Sequence, residues 1–292
     1  MAIAFEPVTR TFSSQGLTLS YLDWGNEDAP VLILVHGIRD HARSWDWVAR
    51  ALQPDWRVIA LDLRGHGDSD WSPDGAYLTP YHLLDFIHLV DALECETVTI
   101  VAHSFGGNPA VRYAALHPER VERLVLVDAM GPNGPVIARW DELGPLQRTR
   151  EWLDKQLAAD VRPARRFATP DEAIERMAKA NPHLSVEQAR HLGLHGVREF
   201  DDGFGWKYDP RLGNFLPEDF AVHLSAYWRE ISAPTLICWG AKSWTTNPAT
   251  DGAFDHFHNA QNVAFPDAGH WIHHDRLDEF VGVLREFLGE RG

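Results

Sequence analysis

The run TVTIVAHSFGGNPAVRYAAL, from Thr97 to Leu116, holds the clearest chemistry in the chain. A β-branched stretch ends at Ala102. His103, Ser104 and Phe105 make a tight turn, and Gly106 and Gly107 open a helical pattern. A serine held between strand and helix projects its hydroxyl, and only small neighbours let the flanking backbones approach. The helix N-terminus adds positive potential where an oxyanion would form. This is the equipment of a nucleophile attacking a carbonyl. A second cluster lies near the C-terminus in FPDAGHWIHHDRLDEF, with His270, His273 and His274. Neutral histidines beside Asp267 and Asp275 have the right chemistry for zinc, but the spacing fits no metal signature, so no metal is expected.

The first run resembles the nucleophile elbow of the α/β-hydrolase superfamily, with Ala102 where the pattern usually has glycine. Other segments agree in chain order. LVHGIRDHARSW follows the first buried strand, and the resemblance implies that the N–H groups of Ile38 and Phe105 form the oxyanion hole. LDLRGHGDSD matches a frequent superfamily loop. Its Arg64, Gly65, His66 and Gly67 are read as structural, because His66 precedes the nucleophile, the wrong order for a base in this fold. The small residue and glycine before His270, after the last strand, mark it as the base. His273 and His274 are left to a solvated or capping role. The acid must orient the imidazole and stabilise its charged form. The common slot, WG-x-x-D, holds Ser243 in TLICWGAKSW, and a hydroxyl cannot supply that charge. A second superfamily slot ends the strand after the elbow helix. There LVLVDAM offers Asp128, which we take as the acid, with Asp251 and Asp255 as alternatives.

Alternating strands and helices must position these groups. FEPVTRTF and LTLSYLDW flank the turn cluster SSQG and read as an antiparallel hairpin. VLILV, VIALDL, VTIVA, LVLVD, TLICW and NVAF are short continuous apolar runs, as expected of strands covered on both faces. Helical patterns lie between them. In the last, Leu277, Phe280, Val281, Leu284, Phe287 and Leu288 share one face. The expected fold class is α/β: an α/β-hydrolase fold with a mostly parallel central sheet, helices on both faces and a helical cap inserted after the sixth strand. The core is assigned to residues 1–132 and 222–292 and the cap to 133–221. That interval is too long for a loop and has no strand-like run. WDELGPLQRTREWLDKQLAAD, TPDEAIERMAKA and SVEQARHLGLHGV read as three helices. Trp140, Trp152 and Trp206 in it are candidates to line a cavity or to pack the insertion onto the core.

The empty acid slot and the texts ANPHLSVEQARHL and GFGWKYDPRL resemble the serine hydrolase-like protein family, a group of esterases. Dehalogenases and epoxide hydrolases share the architecture but use an Asp nucleophile, and the dehalogenase's halide-holding Trp is Phe105 here. The resemblance implies an acyl-enzyme at Ser104 and cleavage of a carboxylic ester of a small, apolar substrate, with no cofactor. C–C bond hydrolysis, acyl transfer, cofactor-free peroxidase chemistry and a non-catalytic binding role stay open. Arg39, Trp45, Trp140 and Trp271 are candidate pocket residues. The 292 residues carry 27 Lys and Arg against 42 Asp and Glu, a net charge of −15. That balance argues against nucleic acid and anionic membranes as partners. Two cysteines, Cys95 and Cys238, exclude a disulfide scaffold. With no signal-like start and no membrane-length apolar run, a cytoplasmic location is expected.

Overall fold

The computed structural model describes residues 6–132, 134–161, 164–220 and 224–289. The strands are β1 (Val8–Ser14), β2 (Leu17–Asp23), β3 (Val31–Val35), β4 (Arg57–Leu61), β5 (Val98–His103), β6 (Val121–Val127), β7 (Val197–Phe200), β8 (Gly203–Trp206), β9 (Thr235–Gly240) and β10 (Ala260–Phe265). Eight of them form one sheet in the order β1-β2-β4-β3-β5-β6-β9-β10. The β1–β2 and β2–β4 pairings are antiparallel and the rest are parallel.

Every residue of β3 and β5 is buried, as their continuous apolar text requires. Period-two alternation then splits the core in two. Ile33, Val35, Ile59, Leu61, Ile100 and Ala102 face α2 (Thr79–Ala92) and α3 (Gly107–Leu116). Leu32, Leu34, Val58, Ala60 and Val101 face α1 (Asp46–Leu52) and the C-terminal helix at Leu277–Leu288. The NVAF run departs from expectation. It lies in β10 at the sheet edge, where only Phe265 is buried, because an edge strand has a neighbour on one side alone.

The interval after β6 holds α4 (Gly134–Val161), α5 (Pro170–Ala180), α6 (Val186–His195), β7, β8 and α7 (Pro217–Phe220). α8 (Leu224–Glu230), α9 (Ile272–Asp275) and α10 (Leu277–Leu288) complete the helices. Thr169 caps α5 and a Ser185–Gln188 capping box starts α6. Two expectations fail here. The interval is not all helical: β7 and β8 form an antiparallel hairpin. Its turn uses Gly203 at φ 120°, and a Cβ on Gly205 would come within 2.9 Å of Phe200. Such a glycine-rich strand carries little β signal in its composition. Second, α4 is not one helix. It breaks at Gly144 (φ 67°, ψ 164°), just ahead of Pro145.

The insertion is tied to loops that follow the carboxyl ends of the parallel strands. Arg39 donates to the Leu212 carbonyl (2.8 Å), Trp71 to that of Lys207 (3.0 Å), and Gln188 to that of His274 (2.9 Å). Phe215 stacks on Phe105 at 5.5 Å. The expected limits at 133 and 221 fall on residues outside those described.

Candidate active site

Ser104 sits at φ 51°, a left-handed conformation that non-glycine residues rarely adopt. The turn closes tightly enough that a Cβ on Gly106 would lie 2.6 Å from the His36 carbonyl oxygen. On Gly107 it would lie 2.7 Å from that of Ala129. These glycines allow the strained residue to be held. Gly37 lies against the same serine, since a Cβ there would meet that of Ser104 at 3.1 Å. The oxyanion candidates Ile38 and Phe105 thus follow directly on Gly37 and on Ser104.

Ser104 Oγ donates to His270 Nε2 at 2.8 Å, and His270 Nδ1 donates to Asp128 Oδ2 at 2.5 Å. A carboxylate acceptor at Nδ1 puts the ring proton there and leaves Nε2 free to accept. Asp128 follows β6 at φ 48°, with its side chain 1% exposed. It also accepts from Ser243 Oγ (2.5 Å) and Thr245 Oγ1 (2.7 Å). The hydroxyl in the common acid slot therefore serves the carboxylate in the other slot. Asp251 and Asp255 are exposed on the loop after β9, and the Asp251 carboxylate accepts from Thr246. Neither bonds His270.

His103 supports the ring from below. Its Nε2–H donates to the His270 carbonyl at 2.9 Å, and burial keeps its pKa well below the ordinary histidine value, so the ring is neutral. His66 is fully buried, donates to the Arg64 carbonyl (2.9 Å), and is pushed down to about 3 by burial. His273 and His274 are not solvated, as expected from sequence, but 1% and 5% exposed. Burial depresses both pKa values, His274 to about 3. His273 stacks on Trp45 at 4.3 Å, and Trp45 is fully buried. Trp45 is thus a core residue and not a pocket residue, because the 3₁₀ turn Ala42–Trp45 directs it beneath the sheet-end loops.

Two cavities lie at the site, one reaching Asp128 and the other Ile38. One, of about 340 Å³, runs past Asp128, Met130, Trp228, Trp239 and Thr245. Met130 and Trp228 also line a narrow cleft that reaches Ser104. The other, of about 410 Å³, lies between Ile38, Arg39 and Trp271 on one side and Arg176, Trp206 and Tyr208 on the other. Arg39 and Trp271, candidate pocket residues from the sequence, line this second cavity. Trp140 lines neither: it is half-buried on α4, and its carbonyl accepts from Arg148 (2.6 Å). Trp228 and Trp239 take the place foreseen for it. They carry no sequence signal, since Trp239 ends an ordinary apolar strand and Trp228 lies in a short mixed helix. His103 and Thr245 were equally silent. Among the described residues, no helix is long and apolar enough to cross a membrane.

The model of the alpha/beta hydrolase family matches residues 32–283. The chain belongs to that family. This α/β hydrolase is 33% identical to a serine hydrolase-like protein of Danio rerio, over 91% of its own length and 83% of the relative's. It is 29% identical to an esterase of Mycobacterium tuberculosis, over 98% and 91%. A solved structure of that M. tuberculosis esterase matches with a TM-score of 0.75 and 27% identity, over 97% of this chain and 92% of the other. E-2-(acetamidomethylene)succinate hydrolase shares the fold, with a TM-score of 0.80 at 20% identity over 97% and 99%.

Proposed function

We propose that this α/β hydrolase is a serine hydrolase of the carboxylesterase type. The observation that carries the reading is the continuous hydrogen-bond chain from Ser104 through His270 to Asp128. In this reading Ser104 attacks the ester carbonyl while His270 Nε2 takes its proton. Asp128 holds the ring in the productive tautomer and stabilises the imidazolium. The N–H groups of Ile38 and Phe105 receive the negative charge on the former carbonyl oxygen. His270 then returns the proton to the departing alcohol. Water attacks the acyl-enzyme by the same route in reverse, releasing the acid and restoring Ser104.

Residues 133–221 serve as a cap in this reading. Their contacts to the loops after β3, β4 and β5 support it, as do the cavity walls they supply beside Ile38. Small esters fit cavities of this size better than polymers do. That relatives are named esterases supports the same substrate class. The test is a panel of p-nitrophenyl esters, thioesters and lactones of graded acyl length. Turnover of short oxygen esters above the others is expected. Absence of turnover across the whole panel would reject the proposal.

A further inference from the structure

The cavity beside the oxyanion loop is lined by cationic groups in an acidic chain. The chain carries a net charge of −15. Yet Arg39, Arg176 and Lys207 all line this one space. Lys207 is paired with Asp68 at 2.6 Å. Arg39 and Arg176 form no ion pair among the described residues. Arg39 spends one N–H on the Leu212 carbonyl and lies over the Tyr208 ring at 5.7 Å.

Among the described residues the wall carries one carboxyl group, Asp40, which cancels only part of these charges near neutral pH. It is 7% exposed, and burial pushes its pKa up to about 7. Burial raises the pKa of the Tyr208 hydroxyl, while the fields of Arg39, Arg165 and Arg176 work to lower it. Those arginine charges therefore converge on one point of the wall. Arg39 is also held at φ 61°, one residue after Ile38, so backbone strain is spent on presenting this side chain. Trp206 and Trp271 supply apolar walls on either side of the cationic groups.

We propose that this cavity receives a carboxylate carried by the substrate, held by Arg39 and Arg176, so that the preferred substrates are monoesters bearing a free acid group. The inference rests on the esterase reading and narrows its substrate class. The guanidinium fork matches a carboxylate in two parallel hydrogen bonds, and Tyr208 offers a further hydroxyl donor. The Ile38 neighbour of Arg39 ties the anion's position to that of the reacting carbonyl. The larger cavity that runs past Met130 and Trp228 takes the other part of the ester.

The experiment compares methyl monoesters of succinate, glutarate and adipate with neutral methyl esters of equal length, followed by proton release. A second series places the carboxylate on the alcohol side. In one of the two series kcat/KM for the charged ester should exceed its neutral match by roughly 10-fold, a modest factor because both arginines reach water. Arg39→Gln and Arg176→Gln should each bring that ratio toward one, mostly through KM, and Arg176→Lys should keep part of it. Arg190→Gln, on the exposed face of α6, should leave the ratio unchanged. Neutral esters turned over with no charge preference in either series would overturn the proposal and leave the esterase reading intact. If no ester is turned over, the esterase reading fails. Calorimetric titration of Ser104→Ala protein with monomethyl glutarate then decides the cavity alone. Heat that vanishes on adding Arg176→Gln supports the anion site, and no heat, or heat indifferent to Arg176, refutes it.

Discussion

The sheet-end loops and the insertion above them are built on opposite principles. In the loops, polar groups are buried and the candidate acid is held by several partners. Asp128 alone accepts from His270, Ser243 and Thr245. In the insertion, the buried cluster is small, with Phe167, Ala173 and Val197 at its centre. Leu146, Leu157 and Val161 are 84%, 65% and 82% exposed. Chemistry needs atoms fixed to fractions of an ångström, whereas choosing a substrate needs only a wall of the right shape and charge. A chain that confines precision to the first region can vary the second freely.

Substitutions in the loops should therefore cost turnover without stability. The largest effect is expected from Ser104→Ala or His270→Gln, each lowering kcat on a short p-nitrophenyl ester by about 10⁶-fold with Tm unchanged. A residual rate within tenfold of the wild type in either variant would break the contrast. Asp128→Asn keeps the shape but removes the charge and favours the wrong tautomer, so kcat should fall by roughly 10³–10⁴-fold. Asp251→Asn and Asp255→Asn should be silent in the same assay. A reversed ranking would move the acid to the loop after β9.

Stability should separate the regions in turn. Burial lowers the pKa values of His36, His41, His66, His82, His103, His195, His273 and His274 in the folded chain, with His66, His82 and His274 at about 3 and His195 at about 4. The unfolded chain takes up these protons below an ordinary histidine value of about 6.5. Stability from these groups is thus complete above about pH 6.5 and is lost as pH falls toward 3. Asp40 and Asp62, pushed up to about 7 and about 6 by burial, act in the opposite sense, but they are two against eight. Tm measured by scanning calorimetry should fall steadily from pH 7 to pH 4.5. A flat profile would contradict the burial of these rings. Smallest of all is the expected response of the insertion's surface. Leu146→Ala should change stability by no more than about 0.5 kcal/mol in urea unfolding, whereas Leu284→Ala in the core should cost about 2–5 kcal/mol.

The same division explains what the sequence revealed. Strands such as VLILV are legible because both faces demand apolar side chains, and the observed β3 has those limits. Ser104, His270 and Asp128 could be singled out because each sits at a strand end of fixed order, and the structure brings the three into hydrogen-bonding contact. The β7–β8 hairpin was hidden because its glycines serve close packing against Phe200 and Phe167 instead of β propensity. His273 and His274 looked solvated because histidine is usually near a surface. Their burial depends on Trp45 and Trp47, far away in the chain. Ser243 looked like a vacancy and is a donor to the acid, which only three-dimensional proximity discloses.

In the proposed mechanism Ser104 is a nucleophile activated by His270. Intact-mass spectrometry after reaction with a fluorophosphonate, followed by peptide mapping, tests it most directly. One adduct is expected, on the peptide containing Ser104, formed rapidly in the wild-type chain and lost in both Ser104→Ala and His270→Gln. A wild-type chain that stays unlabelled, or an adduct on another serine that survives Ser104→Ala, would contradict it.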